Sequence, residues 1–203
     1  MRIGLMFVVA LLASACSAAG MEEPPTQLRI TLDGKQLVTH AGAETEVEVG
    51  GRSVKLRVEE LPWRHFSTNG LQFDYPRHFP WEFDPEPPRS WTLDGNSAVI
   101  MLFDNTIQER AAEDLAADIE KALSSASSAR RTKTELRTAK SGTLAGVAST
   151  ITLARNVVRN EVFVLGKGGA SWLLVLQDSL ADDGSHSTEY AAMRARLAAT
   201  LEF

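Results

Sequence analysis

The side chains best suited to chemistry fall in two short stretches. The first grows out of "NGLQFDYPRHFPW", residues 69 to 81, and continues as "RHFPWEFDPEPPRS", residues 77 to 90, with Arg77, His78, Trp81, Asp84, Glu86 and four prolines. A stiff connection of that length is unusual inside a compact domain, and such connections often carry function, so Arg77, His78 and Trp81 are candidate ligand or partner contacts. The alternative is that Phe79, Trp81 and Phe83 cap the end of a core while the charges face water. A metal is not expected, because His78 has no second histidine at ligand spacing and the neighbouring acids follow no recognised metal-ligand pattern. The second stretch is the basic run "ARRTKTELRTAK", residues 129 to 140. Arg130, Arg131, Lys133, Arg137 and Lys140 fall within eleven residues there, and in an extended segment Lys133, Glu135, Arg137 and Ala139 share one face. An anionic lipid surface or an acidic partner would suit that patch, at about 1 kcal/mol per basic residue close to a charged membrane. An edge strand guarded by charge explains the same residues without a partner.

Other apparent motifs lack the spacing their chemistry needs. "GKGG", residues 166 to 169, is not G-x-x-x-x-G-K-[ST] and reads as a hairpin turn between strands. "GAS", residues 169 to 171, lacks the second glycine of a nucleophile elbow, and His40, His65, His78 and His186 have no evident serine or aspartate partner. "DDGSHSTE", residues 182 to 189, has no calcium-loop spacing and reads as a helix entry. The expectation is therefore no catalytic residues, no metal and no cofactor.

The N-terminus points to a compartment. Arg2, an apolar run from Ile3 to Leu12 and the small residues Ala13, Ser14 and Ala15 have the order of a secretory signal, residues 1 to 15. That run is shorter than the ~20 apolar residues a membrane span requires. Cys16 is the only cysteine, and its place after "LLASA" resembles the lipobox of bacterial lipoproteins. The resemblance implies lipidation of Cys16 and anchoring on the outer side of the cytoplasmic membrane, or in the outer membrane facing the periplasm. Buried acyl chains contribute about 0.8 kcal/mol per methylene to such an anchor. The alternative is cleavage by the ordinary signal peptidase after Ala13 and Ala15, which leaves Cys16 as an odd exported thiol. No intramolecular disulfide is available on either route, so packing must hold the fold. Residues 16 to 27 hold the cysteine and a short tether with Pro24 and Pro25, too polar to bury surface. The net charge is −5, one unit more negative once Arg2 leaves, which argues against a nucleic-acid binder.

Periodicity supplies the elements that would position these residues. Residues 28 to 65 read as a β extension of two hairpins: Leu28, Ile30 and Leu32 alternate before Asp33-Gly34, and Val47 and Val49 precede Gly50-Gly51, then Val54, Leu56 and Val58. Fewer than 40 residues rarely fold alone. In "LQFDYP", Leu71, Phe73 and Tyr75 have core spacing. In "SWTLDGNSAVIMLFDN", Trp91 and Leu93 alternate, Asp94-Gly95-Asn96 turns, and Ala98 to Phe103 is apolar throughout, as in a strand buried on both faces. Ile107, Ala111, Leu115, Ile119 and Leu123 form one helical stripe; Tyr190, Met193, Leu197 and Leu201 form another, with Ser185 or Ser187 as cap. Three or four strands lie between. The expected class is α+β: a mainly antiparallel sheet covered by two main helices, preceded by a small N-terminal β-hairpin extension.

The strand ending "FDYP", a Trp soon after, the helix in "AEDLAADIEKAL", the "GTLAGVAS" turn into a hairpin and the last helix closing on "LAATLEF" together resemble the PsbP-like domain. That fold is shared by photosystem extrinsic subunits, a Ran-binding nuclear import factor and many uncharacterised bacterial lipoproteins. The resemblance spans residues 66 to 203 and implies a binding or assembly module without catalysis. It places no family site residue on a numbered position. The expected role is thus an exported, lipid-anchored, non-catalytic module of the bacterial cell envelope, held to the membrane and meeting an envelope protein. Two alternatives stay open: a small-ligand carrier using the 77 to 90 loop, and an enzyme whose site converges from distant segments.

Overall fold

The structure, a computed structural model, describes residues 27–123, 128–153, 156–167 and 170–203. Cys16, the signal segment, nearly all of the tether, and Gly168 and Gly169 of the expected turn lie outside the described residues. The chain divides into two units, Met1–Glu60 and Leu61–Phe203.

Within the first unit, β1 (Gln27–Leu32) pairs antiparallel with β2 (Lys35–His40), and β3 (Glu44–Val49) with β4 (Arg52–Arg57). Asp33 and Gly34 turn the first hairpin with φ of 50° and 77°, the left-handed pair that a two-residue turn between twisted strands requires. Thr39 and Thr45 join the two hairpins through a 2.8 Å hydroxyl contact. Both hairpins read from the alternation are therefore present.

The second unit is built on a seven-stranded antiparallel sheet. It contains β7 (Trp81–Asp84), β8 (Ser90–Asp94), β9 (Ala98–Asp104), β10 (Ala129–Thr138), β11 (Gly142–Leu153), β12 (Asn156–Lys167) and β13 (Ala170–Ser179), in the order β10-β11-β12-β13-β9-β8-β7. A separate hairpin, β5 (Trp63–Thr68) and β6 (Leu71–Pro76), turns through Asn69 and Gly70. Two helices, α1 (Ala112–Leu123) and α2 (Thr188–Thr200), complete the unit.

Side-chain alternation explains why both faces of the sheet need cover. In β13, Trp172, Leu174 and Leu176 enter one core while Leu173 and Val175 enter a second. In β9, Ala98, Ile100 and Leu102 join the first, and Met101 and Phe103 lean on the second. That division accounts for a run that is apolar at every position. The first core is closed by α2, through Tyr190, Met193 and Leu197, and by β6, through Leu71, Phe73 and Tyr75. The second is closed by α1, through Ala112, Leu115 and Ala116. At β11, Gly146 lies in register with Phe163. A side chain there would come within 2.5 Å of the Phe163 ring, so the strand must be bare at that point.

Two local expectations change and a third is narrowed. The helical stripe does not extend to Ile107, which is 85% exposed. The Asn105 amide instead accepts from the Arg110 N–H at 2.9 Å and donates to the Arg110 carbonyl at 3.1 Å, which closes residues 105 to 110 as a loop before α1. The stretch from 77 to 90 is not all connection, because Trp81–Asp84 forms β7. Between the two serines, Ser187 caps α2, with its hydroxyl accepting from the Tyr190 N–H at 3.1 Å.

Candidate functional site

The exposed aromatic residues of the second unit, Trp81 and Phe83, lie on its β7 edge. Trp81 and Phe83 stand opposite Leu93 and Trp91 in register, so they share the face of the first core. An aromatic row runs outward from that core. Phe73 stacks on Phe66 at 5.0 Å, Phe66 meets Trp91 edge-on at 6.1 Å, and Trp91 stacks on Phe83 at 4.9 Å. Where the row reaches the surface Phe83 is 43% exposed, and Trp81, two residues earlier on the same face of β7, is 54% exposed. Contacts of this kind add about 0.5–1.5 kcal/mol each beyond area burial, which fixes the outer rings in place. Pro80 and Pro85 bracket β7 and can do so because it is an edge strand, where a missing N–H costs nothing. Among the described residues no backbone hydrogen bond reaches its outer side. Glu82 and Asp84 alternate to the other face, Glu86 follows in the turn, and all three are exposed. The β7–β8 turn adds Pro85, Pro87 and Pro88, which with Ile107 and the ion-paired Arg89 and Asp104 line an open groove.

Of the three residues expected in this region, only Trp81 lies on the exposed β7 edge. The Arg77 N–H donates to the Pro62 carbonyl at 2.9 Å. His78 Nε2 lies 2.7 Å from Glu189 Oε1 on α2. Glu189 Oε2 accepts from the Ser97 N–H at 2.6 Å, the Ser97 hydroxyl at 2.9 Å and the Ala98 N–H at 3.1 Å. Burial pushes the Glu189 carboxyl up, but the hydrogen bonds from His78 and from Ser97 outweigh it and hold the pKa down at about 2. Phe79 is fully buried, so the capping reading describes Phe79 and not Trp81 or Phe83.

The basic run is divided by strand alternation. Residues 129 to 138 form β10, the opposite edge of the same sheet. Arg131, Lys133 and Arg137 take the α1 face, and Arg130 takes the other. Arg131 makes a two-pronged pair with Glu120 of α1 at 2.6 and 2.7 Å, and Lys140 reaches Glu202 at 2.8 Å. The Arg131 hydrogen bond holds the Glu120 carboxyl below the usual range against the opposing effect of burial. Arg130, Lys133 and Arg137 are exposed and have no ion pair among the described residues.

Sequence spacing gives no sign of the carboxylates that fasten α2. Glu161 on β12 receives Arg194 Nε at 3.0 Å, Arg159 Nη2 at 3.2 Å and the Thr134 hydroxyl at 3.0 Å. Burial pushes that carboxyl up, and the charge and hydrogen bond of Arg194 lead the effects that hold it below its ordinary value. Burial, with the Glu161 charge next, pushes the Tyr190 hydroxyl up. Asp74 on β6 holds Arg196 at 2.6 Å and His65 at 2.9 Å. Asp178, fully buried, lies 2.6 Å from His186 Nδ1 and accepts from the Ser187 hydroxyl at 2.7 Å. This last group contains the three residue types of a hydrolytic triad in a different wiring. Ser187 donates to the aspartate and not to the imidazole, so His186 has no hydroxyl proton to take from it. His65, His78 and His186 thus each pair with a carboxylate on α2 or on a strand beside it.

No protein-family model matches the chain, and no curated protein matches it.

Proposed function

We propose that this chain is an exported, lipid-anchored binding or assembly module of the bacterial cell envelope, with a PsbP-like second unit, and that the β7 edge is its contact surface. The observation that carries the reading is the exposure of Phe83, at the end of an aromatic row rooted in the core, and of Trp81 on the same face of the same strand. Large aromatic side chains held rigid at low entropy cost are the typical anchors of protein contacts, and an unpaired strand edge beside them offers backbone hydrogen bonds as well. The interior carboxylates support a non-catalytic role, since Asp74, Glu161, Asp178 and Glu189 are engaged by groups that bind α2 to the sheet and to the β6 strand.

Capture from detergent-solubilised envelopes tests this, comparing the natural chain with a Trp81→Ser, Phe83→Ser double variant. Phe83 gives up its stacking on Trp91, so the variant is expected to lose about 1–2 kcal/mol and to remain folded, which its melting transition checks. Reproducible partners that the double variant loses support the reading. Retention of the same partners overturns β7 as the contact.

The groove beside Pro85, Pro87, Pro88 and Ile107 favours a second reading, a small-ligand carrier. A melting temperature raised by an apolar ligand in the natural chain and not in an Ile107→Asp variant would select it.

A further inference from the structure

We propose that the partner covering β7 is the β10 edge of a second copy of this chain, so that copies associate head to tail by sheet extension. This deepens the binding-module reading and rests on it. The two ends of the seven-stranded sheet are β7 and β10, and they differ in charge. The β7 edge presents Glu82, Asp84 and, in its turn, Glu86, all exposed and without an ion pair among the described residues. The β10 edge presents Arg130, Lys133 and Arg137, equally exposed and equally without one, with the exposed Glu135 between the last two, so its balance is positive. Among the described residues β7 has no backbone hydrogen bond on its outer side, and on β10 the Glu135 carbonyl alone is taken, by Arg194 Nη2 at 2.6 Å, which leaves the groups on either side of it for a new strand. Glu82 and Asp84 alternate onto the α1 face of the sheet, because Glu82 stands opposite Thr92 while Trp81 and Phe83 share the first core's face. Lys133 and Arg137 also take the α1 face, since they share a side of β10 with Arg131, which pairs with Glu120 of α1. The six antiparallel pairings of the sheet leave β7 and β10 running the same way, so in a sheet extended with its faces kept the two strands pair parallel, the unlike charges meet on one face, and Trp81 and Phe83 gain cover on the other.

Charge also selects this joint over the symmetric ones. A β7–β7 pair sets carboxylates beside carboxylates, and a β10–β10 pair sets two edges of net positive charge together, which is how edge strands are kept from pairing with themselves. Only the unlike edges attract. A joint between two different edges is heterologous, so it continues from copy to copy and does not stop at a dimer.

The test is sedimentation velocity on the full chain in one mild detergent, alongside a Glu82→Lys, Asp84→Lys variant and a Lys133→Glu, Arg137→Glu variant, each first checked for an unchanged melting temperature. The natural chain is expected to form species larger than a monomer as concentration rises, with association at least about tenfold weaker at ~0.5 M salt than at ~0.05 M. Each variant alone carries like charge on both edges and is expected to stay monomeric. Mixed in equal amounts, the two present unlike edges to each other again, and association is expected to return. A natural chain that stays monomeric, a variant that associates as the natural chain does, or a mixture that fails to recover would each overturn the head-to-tail joint. If the natural chain is monomeric while Trp81→Ser, Phe83→Ser still loses an envelope partner, the self-pairing fails and the binding-module reading stands.

Discussion

Glu189 Oε2, in the first turn of α2, lies 2.6 Å from the backbone nitrogen of Ser97, in the turn that leads into β9. One carboxylate thereby satisfies two strand-end N–H groups and a hydroxyl while its other oxygen takes His78. Replacing it by a neutral group removes charge-assisted bonds and leaves the Ser97 and Ala98 donors with a weaker acceptor.

Glu189→Gln is expected to lower stability by about 1–3 kcal/mol near neutral pH. The carboxyl's folded pKa of about 2 lies below its ordinary 4.5. Its contribution is thus complete above pH 4.5 and lost as pH falls toward 2. Urea midpoints of the natural chain and the variant should differ at neutral pH and converge in acid. A gap independent of pH would contradict the assignment.

Glu161 sits between two guanidinium groups of unequal grip, Arg194 at 3.0 Å and Arg159 at 3.2 Å. Removing the carboxylate leaves both cations uncompensated beside a buried site, so Glu161→Ala is expected to cost about 3–5 kcal/mol. Arg194→Ala should cost less than that, and Arg159→Ala least. Denaturation of the three variants gives the order; a variant of Arg159 as damaging as that of Glu161 would show the geometry to be misread.

The cores were legible because burial is written in short-range spacing. Leu71, Phe73, Trp91 and Leu93 alternate as strand residues must, and Tyr190, Met193, Leu197 and Leu201 recur as one face of a helix. Ile107 continues the α1 stripe in sequence, yet the Asn105 amide closes the chain into a loop before it. A side-chain bond to the backbone competed there with a helical turn, and periodicity does not register it. Residues 81 to 84 are hidden among prolines because an edge strand tolerates flanking prolines that a central strand would not. The pairs that fasten α2 span 111 residues from His78 to Glu189 and 122 from Asp74 to Arg196. Contacts so distant leave no local pattern. Trp81 was a candidate from its type alone. The row that reaches the surface beside it, at Phe83, through Phe66 and Trp91 depends on β5, which the alternation around Leu71 did not single out.

Cys16 lies outside the described residues, and its role follows from the proposal of a lipid anchor. Cys16→Ser is expected to move the protein from the membrane pellet to the soluble fraction after lysis, because acyl chains supply about 0.8 kcal/mol per buried methylene and the serine variant has none. Fractionation with blotting reads the result. A variant that stays in the pellet would refute the anchor.

The central claim is that the β7 edge is a contact surface, and photo-crosslinking in living cells tests it most directly. A benzophenone amino acid placed at position 81 or 83 should give a discrete adduct after irradiation, at twice the chain's mass if the second copy is the partner, while the same group at the exposed Glu113 of α1 should give none. Adducts that are absent from 81 and 83, or no more abundant there than at 113, would contradict it.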